Sequence, residues 1–325
     1  MKTLIFSGKL LLILPIAALL AASVFGQAPF STPTPAGGST SRFTTYDPET
    51  LRKGEWNLSQ VLSAPQTFTL HSRLLAHDVS YRVIVPAEYD QPAKSATRYP
   101  VIYLLHGLDG HFDNWTDKTS LADYVANFNF IVVTPEGNNG WYTDSATVAN
   151  DKYESYIVQE LIPEIDRRFQ TIAERRGRAI AGLSMGGYGS IKFGLKHPEM
   201  FSLVGSFSGA FDAPLRTAKT PNLWPSIPIV FGAEGGKTRT DNDVFALLRA
   251  VPTDRIAGLP FIYFDCGTED PFLAINRDFD ALLLEKKVPH EYRELPGKHN
   301  WEYWNQQVPE FLQVAGRIFG IRKKE

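Results

Sequence analysis

The sequence predicts one α/β domain: a mostly parallel central sheet, helices on both faces, and a short insertion above the strand ends. Three observations predict it. Near the start, Thr67–Ser72 and Asp78–Val85 alternate apolar with polar residues, as half-buried antiparallel strands do. After Pro86 the pattern changes to continuous apolar runs, Pro100–Leu105 and Phe130–Thr134, which suit parallel strands covered on both faces. From there helical segments alternate with strands to the end of the chain, the rhythm of βαβ units.

In order, Ser120–Ala126 reads as a helix between the first two buried strands. Lys152–Phe169 reads as a long helix with apolar residues at Tyr156, Ile157, Leu161, Ile162 and Ile165. A strand at Arg178–Ala181 and a helix at Tyr188–Lys196 flank a glycine-rich turn. Phe201–Ser206 and Pro260–Asp265 continue the sheet. The helix Leu273–Lys287, the strand His290–Leu295 and a last helix over Trp301–Phe319 complete it. Between the strands at 206 and 260 the alternation breaks. Phe211–Leu259 is first Pro-rich and then polar, and it is too short for a large independent lid.

The ends and the composition bound the rest. Lys2 and Lys9 bracket the start, and Leu10–Phe25 is nearly all apolar or small. That run contains Pro15 and falls short of the roughly 20 residues a spanning helix needs. A secretory signal peptide over residues 1–26 is therefore expected, with an uncleaved anchor as the alternative. Residues 27–42, rich in Pro, Ser, Thr and Gly, read as a linker, and 43–325 as the folded domain. The expected location is periplasmic or secreted, without stable membrane insertion once the signal is cleaved. A net charge of -2 offers no basic excess for nucleic acid. The chain holds 1 cysteine, Cys266, so no intramolecular disulfide can form and the core must supply stability.

The chemistry gathers at Gly182-Leu183-Ser184-Met185-Gly186, a G-x-S-x-G turn between strand and helix. In that setting the pattern is a nucleophile elbow. The sharp turn strains the serine backbone, lifts its hydroxyl above the sheet and requires small neighbours. A serine hydroxyl needs a base, and the base needs an acid to fix its tautomer. Asp270 and His299 follow Ser184 in the order this architecture uses, each in a loop at the carboxyl edge of the sheet. Glu269 is the rival acid. Asp265 still belongs to its strand and reads as a support for the loop. The backbone N–H groups of Leu108, in Leu104-Leu-His-Gly-Leu-Asp-Gly110, and of Met185 are the candidate oxyanion donors. His71, His77, His197 and His290 read as surface residues; His106 and His111 lie near the site but precede the serine. No histidine pair has metal-ligand spacing on one helix, so neither a metal nor another cofactor is expected.

Leu105-His-Gly-Leu-Asp-Gly110, Gly182-Leu-Ser-Met-Gly-Gly187, Asp265-Cys-Gly-Thr-Glu-Asp270 and Gly297-Lys-His299 fall in an order and at spacings similar to the esterase D family of α/β-hydrolases. That family includes S-formylglutathione hydrolases, tributyrin-type carboxylesterases, feruloyl esterases and mycolyltransferases. The resemblance covers about Gln66 to Phe319. It implies an α/β-hydrolase fold and a serine carboxylesterase with Ser184 as nucleophile, Asp270 as acid, His299 as base, and Leu108 and Met185 as oxyanion amides. Trp141-Tyr-Thr-Asp-Ser145, Ser206-Phe-Ser-Gly-Ala210, Phe231-Gly and Asn242-Asp most resemble the tributyrin-type members. The export signal departs from the glutathione-thioester hydrolases. Trp141, Tyr142, Trp224 and Phe272 are candidate substrate-binding residues, with core packing as their alternative role. The expected partner is a small-molecule or polysaccharide-linked ester, and the oligomeric state is left open. Two other readings stay open: acyl transfer to a sugar or lipid hydroxyl, and a non-catalytic exported binding protein.

Overall fold

Eight strands form one sheet in the order β1-β2-β4-β3-β5-β6-β7-β8. They are β1 (Gln66–Ser72), β2 (His77–Ile84), β3 (Val101–Leu105), β4 (Ile131–Pro135), β5 (Arg178–Leu183), β6 (Leu203–Phe207), β7 (Phe261–Gly267) and β8 (His290–Leu295). Only β2 runs against its neighbours; every pairing from β4 through β8 is parallel. This is the sheet the sequence predicts. A computed structural model describes residues 64–89, 96–221 and 223–323. The expected signal peptide, the linker and the start of the domain at residue 43 lie outside the described residues. Among the described residues no helix is long and apolar enough to cross a membrane.

The continuous apolar strands divide their side chains between two cores. On β3, Val101, Tyr103 and Leu105 face one layer with Ile157, Leu161 and Ile191, while Ile102 and Leu104 face the other with Val125, Val308 and Phe311. Alternation along a strand sends successive side chains to opposite faces, so a strand covered on both sides is apolar throughout. The parallel strands end at one edge, and the loops that leave it carry Gly107, Ser184, Asp270 and His299.

The structure departs from the sequence in two stretches. The predicted helix at 152–169 is α-helical over Tyr153–Tyr156 and Ile162–Arg168 but passes through a π-helical turn at Ile157–Leu161. Pro163 explains it: proline cannot donate to the carbonyl four residues back, and its ring pushes that carbonyl away. Among its described residues the 211–259 segment contains three short α-helices, Ser226–Phe231, Lys237–Asp241 and Val244–Ala250, and 3-10 turns at Ala213–Leu215 and Thr253–Gly258. Arg239 ties this segment together. It is 7% exposed, and its guanidinium donates to the carbonyls of Pro214, Arg216, Gly232 and Ala233. One buried side chain thereby bonds four carbonyls of this segment.

Candidate active site

Ser184 sits between β5 and the helix Met185–Lys196 with φ 54° and ψ −112°, a conformation that L-residues rarely hold. Its surroundings fix it there. Its N–H donates to Phe207 O at 2.9 Å, and its carbonyl accepts from Tyr188 N at 3.0 Å and Ala210 N at 3.1 Å. The turn tolerates no side chain at Gly186, where a Cβ would lie 2.5 Å from Leu105 O and 2.6 Å from His106 O. The glycines of the motif thus let two loops meet under the serine.

Ser184, His299 and Asp270 converge from three loops. His299 Nε2 is 3.0 Å from Ser184 Oγ, and its Nδ1 is 2.8 Å from Asp270 Oδ2. The other oxygen of Asp270 accepts from Phe272 N at 2.8 Å, so both oxygens are held. A carboxylate only accepts, which places a proton on Nδ1 and leaves Nε2 free to accept from the serine. The imidazole stands between two aromatic edges, Phe272 and Trp304, each ring centroid 4.9 Å away. Glu269 points elsewhere: its side chain is 62% exposed, beside Lys298 Nζ at 3.6 Å.

The two candidate oxyanion amides are uncommitted. Neither Leu108 N–H nor Met185 N–H hydrogen-bonds another described residue. Met185 opens its helix, where the first N–H groups have no intrahelical partner. Leu108 is oriented by a histidine that sequence reasoning set aside. His106 Nδ1 donates to Gly107 O at 2.7 Å, and Gly110 N donates to the same oxygen at 3.1 Å. Gly107 O and Leu108 N–H belong to one planar trans peptide, so pinning the oxygen aims the N–H the opposite way. The loop also lies close to the serine: a Cβ on Gly107 would be 3.5 Å from Ser184 Cβ.

The four aromatic candidates separate. Phe272 meets His299 and borders the triad, and the partly exposed Trp224 lies behind it, tilted, with centroids 6.0 Å apart. Tyr142 takes the core-packing alternative. Its ring is fully buried, and its hydroxyl donates to His106 O at 3.1 Å, in the loop that carries Gly107 and Leu108. Trp141 is 1% exposed and backs Trp224 at 5.2 Å. Both have positive φ, and a buried lysine that the sequence reading did not single out supports them. Lys192 Nζ donates to Tyr142 O at 2.5 Å and Thr143 Oγ1 at 2.7 Å and pairs with Glu154 at 2.9 Å. Burial pushes this amine down to about 8, against the opposing pull of Glu154. Its helix is buried on nearly all sides, so no polar face marked the lysine as exposed. His290 also differs from its surface reading. Its side chain is 8% exposed and lies 2.8 Å from Asp280 Oδ1. Among the described residues no three His, Cys, Asp or Glu side chains converge to hold a metal ion.

Asp265 lies on β7 inside the sheet, before the loop that carries Asp270. It is fully buried, and its Oδ2 accepts from the Tyr263 hydroxyl at 3.0 Å. Burial pushes its carboxyl up from 3.8 to about 7. The folded protein therefore keeps a proton on Asp265 that the unfolded chain loses at lower pH. Between those two values the native state binds more protons, so this residue's contribution to stability falls as pH rises through that window. Asp265→Asn cannot titrate and keeps an acceptor for Tyr263. Its melting temperature is expected to exceed that of the wild type above pH 7 and to lose that advantage near pH 4. Parallel melting profiles across that range would remove Asp265 as a source of pH dependence.

Known proteins resemble this chain in both sequence and structure. The family model described as "Putative esterase" matches residues 72–313. An acetyl esterase of Caldicellulosiruptor saccharolyticus is 28% identical over 262 residues, 76% of this chain and 96% of that protein. Esterase Rv1288 of Mycobacterium tuberculosis is 33% identical over 240 residues, 67% of this chain but 51% of its own, so the chain spans about half of that relative. A solved ferulic acid esterase superposes with a TM-score of 0.68 at 29% identity, covering 79% of this chain and 98% of that one.

Proposed function

Because the chain belongs to the esterase family of α/β-hydrolases and is a serine hydrolase of the carboxylesterase type, we propose that it is an exported enzyme that hydrolyses short-acyl or aromatic-acyl esters at Ser184. The observation that carries the site is the hydrogen-bonded line from Ser184 Oγ through His299 to Asp270, at 3.0 and 2.8 Å. Trp224 and Phe272 beside the triad favour an aromatic acyl group, as in the ferulic acid esterase. The similarity to an acetyl esterase favours a short one. Export rests on the charged start and apolar run of residues 1–26.

In this reading Ser184 Oγ attacks the ester carbonyl carbon while His299 Nε2 takes its proton. Asp270 stabilises the imidazolium that forms and keeps its ring oriented. The carbonyl oxygen gains negative charge and meets the N–H groups of Leu108 and Met185. Each such donor is worth about 3 kcal/mol of barrier. The tetrahedral intermediate collapses, His299 returns its proton to the leaving alkoxide, and the alcohol departs from an acyl-Ser184. Water then attacks the acyl carbon as His299 accepts its proton, and the acid leaves with Ser184 restored.

Protein recovered from the host's exported fraction tests the reading as a whole. It is expected to begin after about residue 26 by mass spectrometry and to hydrolyse 4-nitrophenyl acetate, 4-nitrophenyl butyrate and methyl ferulate. An intact Met1 start found only in membranes would replace export with anchoring. Absence of turnover on every ester would end the esterase reading. Ester products formed with an added alcohol acceptor, in excess over free acid, would make the enzyme a transferase.

A further inference from the structure

A cation caps the aromatic row beside the triad. The Arg216 guanidinium carbon lies 4.1 Å from the Trp224 ring centroid and 5.7 Å from that of Phe272, whose ring in turn meets His299 at 4.9 Å. The two buried arginines among the described residues each hydrogen-bond protein acceptors through the guanidinium, although Arg178 Nε has no partner. Arg239 bonds four carbonyls, and Arg178 bonds Asp166 and Met200 O. Arg216 does not. Its side chain is 16% exposed, yet neither Nη1 nor Nη2 hydrogen-bonds any described residue. Its Nε lies 3.1 Å from Asp212 Oδ2, an ion pair without hydrogen-bond alignment. Nε is buried without a hydrogen-bond partner, a cost that an anion at the head of the side chain offsets, and the outer donors Nη1 and Nη2 stay open to such a ligand. Nor is the loop loose: Arg216 O accepts from Arg239 Nη1 at 2.7 Å, and Arg216 N donates to Asp212 O at 3.2 Å.

We propose that Arg216 is a specificity-determining residue that receives a carboxylate carried by the ester substrate, an inference that rests on the esterase reading above. The planar fork of arginine matches the two oxygens of a carboxylate, and stacking on Trp224 pre-orders it, so little side-chain entropy is lost on binding. Phe272 and Trp224 pack the substrate between this anion end and the serine. Asp212 opposes the effect, because its charge offsets part of the guanidinium field. The carboxylate can belong to the acyl group or to the alcohol; the chemistry at Arg216 is the same for both.

The test is a ratio of kcat/KM values, anionic ester over neutral ester. On the acyl side 4-nitrophenyl hydrogen glutarate is compared with 4-nitrophenyl butyrate; on the alcohol side 3-acetoxybenzoate is compared with phenyl acetate. Arg216→Gln is expected to lower the ratio about tenfold or more in the arm that carries the proper geometry, since a charge-assisted bidentate contact is lost. Arg216→Lys, which keeps charge without the fork, should fall between. Asp212→Asn leaves the stacked arginine in place and should raise the ratio. An arginine that only staples Trp224 would move anionic and neutral esters together, and ratios unchanged in all three variants overturn the proposal while leaving the esterase intact. No turnover of either ester by the wild type would end the esterase reading, and this inference with it.

Discussion

Ser184→Ala is expected to lower kcat for ester hydrolysis by about 10⁴- to 10⁶-fold while leaving the fold unchanged. The large effect follows from the mechanism: without Oγ no acyl-enzyme forms, and His299 has no proton to accept. The small structural effect follows from what the hydroxyl does otherwise. Its one hydrogen bond runs to His299. The strained backbone is held instead by Phe207 O, Tyr188 N and Ala210 N, all of which an alanine retains. Alanine at φ 54° bears the same strain as serine there, so the elbow should survive. Circular dichroism and melting temperature check the fold, and initial rates check turnover. Residual hydrolysis above the uncatalysed rate would come from the Leu108 and Met185 amides, which remain. Wild-type rates from a variant preparation free of contaminating esterase would remove Ser184 as nucleophile.

Much of this was legible in the chain because it is local. Continuous apolar runs announce strands covered on both faces, and a glycine-flanked serine between strand and helix announces the elbow. Each triad residue lies in a loop following a parallel strand, so sequence order alone brings the three to one sheet edge. What was not legible depends on neighbours distant in sequence. Tyr142 and Phe272 are both aromatic residues in loops at that edge. Both rings are buried, and only their contacts differ: the Tyr142 hydroxyl bonds His106 O, whereas the Phe272 ring meets His299. Lys192, Arg239 and Arg216 are three cations whose partners come from as far as 50, 25 and 56 residues away, and no local pattern distinguishes a saturated guanidinium from an open one. Chain order keeps His106 out of the triad, but it says nothing of the peptide that its ring pins. The π-helical turn was readable in principle, since Pro163 stands inside the helical pattern, but proline alone does not say whether a helix ends, kinks or bulges.

Asp270→Asn and Glu269→Gln are neighbouring substitutions expected to differ by orders of magnitude. The Asp270 side chain is fully buried, with one oxygen on His299 Nδ1 and the other on Phe272 N. An asparagine of the same shape presents either an amide NH₂ or a neutral oxygen to Nδ1. The NH₂ would favour the opposite tautomer, with its proton on Nε2, so the ring could no longer accept from Ser184. The neutral oxygen would leave the imidazolium unstabilised. Loss of the corresponding acid in serine proteases lowers kcat about 10⁴-fold, and a similar loss is expected for Asp270→Asn. Glu269 is largely exposed and faces Lys298 at 3.6 Å, a pair that solvent and salt screen. Its replacement should leave kcat within about twofold, because a screened surface charge contributes little to a buried imidazole. Initial rates of the two variants on one ester, with melting temperatures to confirm folding, decide between them. A severe loss in Glu269→Gln beside a mild one in Asp270→Asn would transfer the role of acid to Glu269 and would require the 269–270 turn to reverse its side chains in solution.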